Sequence, residues 1–130
     1  MNIQELILLA EKSRESAYAP YSKFTVGAAL LCDDGSIYTG CNIENASFTP
    51  TCCAERVAML KAISDGKRSF TSIAISGGEQ GQLPRTACYP CGVCLQVLSE
   101  FASPDLQIVL SDGSIVTLNE LLPKNFILKD

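Results

Sequence analysis

The sequence predicts an α/β fold: a three-layer α/β/α sandwich on a mixed, mostly parallel five-stranded sheet, in one domain spanning residues 1–130. Three observations carry this. Segments with apolar residues at helical spacing alternate with β-branched runs in the order α-β-β-α-β-α-β-β-α. At 130 residues and 47% hydrophobic content, the chain is one domain's worth with enough apolar surface for a core. No linker, repeat or low-complexity stretch divides it.

Residues 2–17 read as an amphipathic helix, with Ile3, Leu6, Ile7 and Ala10 on one face and Asn2 as N-cap. Pro20 disfavours helix at the residue before it, so 18–23 is a turn. Segments 24–31 and 36–43 read as strands joined through Asp34-Gly35, a hairpin signal. Residues 53–64 read as a helix, 70–76 as a strand, and the polar, Gly-rich stretch to 87 as a loop. A helix is predicted from Pro90 or Cys91 to near Phe101, proline suiting a first helical position. Strands at 106–110 and 114–118 flank Ser111-Asp112-Gly113, and one helical turn precedes Pro123 and a short tail.

Composition excludes several functions. A net charge of −4 and a pI near 4.8 leave no clustered Lys and Arg to neutralise phosphates, so neither nucleic acid nor an anionic membrane is an expected partner. No run approaches the ~18 apolar residues of a membrane span. The amino terminus carries acids within its apolar stretch and no basic leader, so no signal peptide is expected. Seven cysteines, an odd number, then read as reduced thiols of a cytoplasmic protein. Histidine is absent, which removes His-based triads, bases and metal ligands together.

The cysteines cluster at helix mouths. Cys32 and Cys41, alone in strands, read as small core residues. Cys91 and Cys94, three apart in a first helical turn, can face one ion, and Cys53 opens the other helix. Three thiolates on Zn²⁺ with an open fourth position is a catalytic arrangement. A closed structural site needs four, for which Cys52 or Cys88 are candidates, and a CxxC also serves thioredoxin-like redox sites. Helix N-termini and Arg56 would offset the negative charge of a zinc–thiolate centre. Glu55 alone reads as an acid complementing the helix dipole. Two residues from a ligand candidate, it becomes a candidate general acid/base.

"CAE" (53–55) followed by "PCGVC" (90–94) resembles the signature of zinc-dependent nucleoside deaminases, in the variant where cysteine replaces the histidine ligand. "YAPYSKFTVGAALL" (18–31), "GCNIENASF" (40–48), "CAERVAMLKAISDG" (53–66), "PCGVCLQVLSEF" (90–101) and "ELLPKNF" (120–126) extend the resemblance to the small, homotetrameric cytidine deaminases. The resemblance implies one Zn²⁺ per subunit on Cys53, Cys91 and Cys94, with hydroxide in the fourth position attacking C4 of cytosine. Glu55 would protonate N3 and shuttle a proton to the leaving amine. Asn42 and Glu44 would bond the ribose 3′-hydroxyl, Phe24 would pack on the nucleoside, and backbone groups at Ala54 would read the base edge. Ala46, Phe48 and Phe126 would reach the sites of neighbouring subunits in a homotetramer with shared active sites. The chain departs from the family pattern at Leu95, where relatives commonly carry Arg, at Phe48, often Tyr, and in a longer loop over 77–89 bearing Cys88.

The implied function is hydrolytic deamination of cytidine and 2′-deoxycytidine to uridine and 2′-deoxyuridine with release of ammonia, in pyrimidine salvage. A blasticidin-type deaminase shares the motif, but the "NIENAS" segment suits a ribose hydroxyl better. A polynucleotide-editing deaminase fits the charge poorly. A non-catalytic zinc or redox module would leave Glu55, Asn42 and Glu44 with surface roles alone.

Overall fold

A computed structural model describes residues 1–129. Helix α1 (Ile3–Ser13) starts where Asn2 Oδ1 accepts from Glu5 N at 2.8 Å, the expected N-cap. It ends sooner than expected, because the chain tightens into a 3₁₀ turn at Arg14–Ser16. Strands β1 (Phe24–Cys32) and β2 (Ile37–Cys41) follow as a hairpin closed around Gly35, whose φ of 90° suits glycine. Then come α2 (Ala54–Ser64), β3 (Phe70–Glu79), α3 (Gly92–Phe101), β4 (Gln107–Leu110), β5 (Ile115–Thr117) and the single turn α4 (Leu118–Leu121).

The five strands lie in the order β2-β1-β3-β4-β5. The sheet is mixed and five-stranded, as the sequence predicts, but it is mostly antiparallel rather than mostly parallel. Only β3 and β4 run parallel, joined by the α3 crossover, whereas β1–β2, β1–β3 and β4–β5 are antiparallel. The reason lies in the connections. The two tight hairpins force antiparallel pairs, and α2 returns the chain past β2 to the free edge of β1, where β3 runs against it. Strand β3 also continues three residues beyond the expected end. Gly77, Gly78 and Glu79 pair with Val26, Thr25 and Phe24 instead of entering a loop.

Helix α1 covers one face of the sheet, burying Leu6, Ile7 and Ala10 against Ala29, Ala74 and Val109. The opposite face carries the larger core, in which Ile73, Ile75, Ile108 and Leu110 meet Met59 of α2, Leu95 and Leu98 of α3 and Leu118 of α4. This is the three-layer sandwich, with β3 buried on both sides.

Two glycines set how close the helices come. A Cβ on Gly27 would stand 2.0 Å from the Ala10 carbonyl oxygen, and one on Gly40 would stand 2.4 Å from the Ala54 oxygen and 2.6 Å from Ala58 N. Backbone lies on backbone at both points, and Gly40 thereby fixes the first turn of α2. Alanine at either glycine is expected to cost about 3 kcal/mol or more, since the atoms met are main chain. A fall in the urea midpoint at unchanged m-value would show it.

Candidate functional site

Helices α2 and α3 begin side by side on the same face, with Cys53 and Cys91 as their N-cap residues. Neither thiol makes a capping hydrogen bond. With Cys94, one turn into α3, their Sγ atoms all lie within 4.8 Å of one another, and Cys91 and Cys94 are 3.4 Å apart. Tetrahedral zinc with Zn–S bonds of ~2.3 Å requires sulfurs ~3.8 Å apart, so this cluster fits the ion with little adjustment. The donor set is soft and anionic, and three donors leave one position open. Cys52 and Cys88 are outside the cluster among the described residues, so the closed four-cysteine alternative has no geometric support here.

The electrostatics single out Cys53 as the thiol most readily ionised. The Cys53 thiol is pushed down to about 5, chiefly by a hydrogen bond from Cys94, with Cys91 and Arg56 adding. Cys94 is pushed up because it makes the reciprocal bond in a buried setting. Burial raises Cys41, Cys52 and Cys88, the disfavoured direction for a thiolate. Arg56 donates from Nη2 to the Thr51 carbonyl at 2.7 Å, and its Nε is buried without a hydrogen-bond partner. A thiolate sulfur is the chemically suitable acceptor there. Leu95, at the position where resemblance suggests Arg, is instead packed into the core with Leu98.

Glu55 is 4% exposed in the first turn of α2. Burial, and secondarily the charge of Cys53, raises its carboxyl to about 7. A carboxyl that titrates near neutrality beside an open metal position can both take up and give back a proton. Ala54, preceding it, is fully buried against Gly40.

Asn42 and Glu44 are committed to backbone in a way sequence patterns do not show. Asn42 Oδ1 accepts from Val26 N at 2.9 Å while its Nδ2 donates to the Phe24 carbonyl at 2.9 Å, so the side chain pairs with β1 like another strand residue. Glu44 accepts from Tyr21 N, Ser22 N and Ser22 Oγ, and these bonds lower its carboxyl. Both side chains are held rigidly and keep spare hydrogen-bonding capacity. Tyr21, Ser22, Glu44, Phe48 and Thr51 are among the residues lining a cavity of about 280 Å³.

Phe24 is half-buried at the start of β1. Ala46, Phe48 and Phe126 are exposed and are not drawn into the cluster within one chain; Phe48 is 80% and Phe126 67% exposed. The Phe126 carbonyl does accept from Gln96 Nε2 on α3, which lays the tail along that helix. Two features escaped sequence reading: the Arg85 guanidinium stands 5.0 Å from the Phe24 ring centre, and the Cys88 sulfur reaches over Gly77 beside that ring. Both come from an aperiodic loop.

The chain matches the family described as "Cytidine and deoxycytidylate deaminase zinc-binding region" over residues 1–110. It is 46% identical to a cytidine deaminase of Sporosarcina psychrophila, across 100% of this chain and 95% of that one. It is likewise 46% identical to a cytidine deaminase of Halalkalibacterium halodurans, across 100% and 98%. A crystal structure of cytidine deaminase from Burkholderia pseudomallei superposes with a TM-score of 0.87 at 42% identity, covering 97% of this chain and all of that one.

Serine at Cys91 is expected to weaken zinc retention by more than the about 10–100-fold lost with an outer-shell partner. Serine at Cys88 should leave one zinc per chain. Metal content after dialysis against a chelator distinguishes the two.

Proposed function

The chain belongs to the zinc-binding cytidine deaminase family, and we propose that it hydrolyses cytidine and 2′-deoxycytidine to uridine and 2′-deoxyuridine with release of ammonia. The observation that carries the reading is the open three-thiol cluster with a buried, near-neutral carboxyl at the same helix mouth. Cys53, Cys91 and Cys94 would hold Zn²⁺. Bound there, the ion supplies a Lewis acid that lowers the pKa of water to about 7.

The remaining chemistry belongs to the chain. The Glu55 carboxylate accepts the proton released by the attacking water and delivers it to N3 of the ring, making C4 electrophilic. Once the water oxygen has bonded to C4, Glu55 takes the second proton from that new hydroxyl and passes it to the 4-amino group. The C4–N bond breaks as the C4 carbonyl forms, and ammonia departs, so water and nucleoside balance against product and ammonia. Ala54 presents first-turn backbone to the base edge, with α2 fixed by Gly40. Asn42 and Glu44, immobilised by their backbone bonds, offer their spare capacity to the ribose 3′-hydroxyl and leave the 2′ position unread. Phe24 packs on the nucleoside. Arg56 offsets thiolate charge.

The assembly we infer is a homotetramer with shared active sites, in which Ala46, Phe48 and Phe126 complete neighbouring sites. Their exposure in the single chain supports this. Residues 1–130 act as one domain. Seven free thiols agree with a reduced, cytoplasmic setting and a role in pyrimidine salvage. No helix of the described residues is long and apolar enough to cross a membrane.

Uridine formation from cytidine by the zinc-loaded protein is the direct test, and no conversion by folded, zinc-bound protein would overturn the reading. Glu55→Gln is expected to lower turnover at least about 10²–10⁴-fold while zinc stays at one per chain. Sedimentation should give four chains per particle, and a fully active monomer would sink the shared-site assembly.

A further inference from the structure

One cation lies over the ring of Phe24, carried by the loop that follows β3. The Arg85 guanidinium carbon is 5.0 Å from the ring centroid. Arg85 is itself held twice: its Nη2 donates to Glu79 Oε1 at 2.7 Å, and its backbone N donates to the Gly77 carbonyl at 2.8 Å. Glu79 and Gly77 are the β3 residues facing this end of β1, Glu79 pairing directly with Phe24 and Gly77 with Val26.

The strand ends that carry these groups are fixed from the other side of the sheet. The buried Arg14 donates from Nε to the Thr25 carbonyl at 3.1 Å and to Thr25 Oγ1 at 3.2 Å, and from Nη2 to the Glu79 carbonyl at 3.1 Å. Gln80 N donates to the Lys23 carbonyl at 2.7 Å, and Lys23 enters the strand in the left-handed region at φ 60°. Backbone and guanidinium thus share one frame, and the ring has little freedom to leave it. Space beside the ring is short as well. A Cβ on Gly77 would stand 3.1 Å from Phe24 Cε2 and 2.6 Å from the Cys88 sulfur, so the ring edge is already packed.

We infer that Arg85 is a positioning residue for nucleoside binding: stacked on one face of Phe24 and tethered to Glu79, it holds the ring so that its other face receives the base. The inference rests on the proposed reading that Phe24 packs against the nucleoside. A cation on one face of an aromatic ring is attracted by the ring quadrupole, and an exposed pair of this kind is a modest interaction. Arg85 is 62% exposed at its side chain and outside both core clusters, so its removal leaves the fold intact. Its effect therefore belongs in KM, not in kcat.

The test uses the zinc-loaded protein with cytidine as probe. Arg85→Ala is expected to raise KM about three- to five-fold with kcat, zinc content and melting temperature unchanged. Arg85→Lys should recover part of the loss. Phe24→Ala should raise KM further, and adding Arg85→Ala to it should change nothing more, because the arginine acts through the ring. A KM rise from Arg85→Ala that persists in full without the ring overturns the inference, since the arginine would then act on substrate directly. An effect of Phe24→Ala with none from Arg85→Ala overturns it too, and leaves the reading of Phe24 standing. If Phe24→Ala leaves KM unchanged, that reading fails and the inference falls with it.

Discussion

Mutual repulsion among closely spaced sulfur anions is the constraint around which this molecule is built. Three thiols within 4.8 Å cannot all ionise without compensating positive charge. The fold supplies it from main chain, by starting two helices at one place, and from one guanidinium, Arg56. The convergence in turn requires α2 to lie on β2 at backbone distance, which Gly40 permits. A core of Ile, Leu and Met behind the thiols keeps solvent out and leaves Glu55 with a carboxyl that protonates readily. Leu95 belongs to that core, so the site rests on helix dipoles and Arg56 for its positive charge.

Much of this was legible in the sequence because it is local. Asp34-Gly35 marks a hairpin, Asn2 a helix start, and Cys91 with Cys94 at one helix mouth a pair of candidate metal ligands that the fold brings to Cys53. The sheet's dominant direction was not legible, because strand adjacency is decided by which edge a crossover reaches. The end of β3 was misread for the same reason: Gly77 and Gly78 look like loop residues until β1 is there to pair with them. Arg14, in the 3₁₀ turn after α1, is buried at the sheet edge, where Thr25 and the Glu79 carbonyl accept from it, a tertiary contact that the periodicity of residues 2–17 does not announce.

Asn42 and Glu44 show why polar residues after a strand resist a simple choice between turn-forming and ligand-binding roles. Each satisfies neighbouring backbone, and in doing so surrenders its rotamer freedom before any ligand arrives. A group already immobilised has less entropy to lose on binding any ligand it meets.

Cys53 and Cys91 occupy N-cap positions without capping anything. Serine, threonine or aspartate there would hold the first turn through its own side-chain oxygen. Here the helix starts are left to whatever draws the sulfurs together. Zinc that binds the native chain more tightly than the unfolded one adds stability that grows with the logarithm of free metal concentration. The same two helix ends then make the lifetime of the folded protein a readout of metal supply, and chains made under zinc starvation would be the first presented to proteolysis.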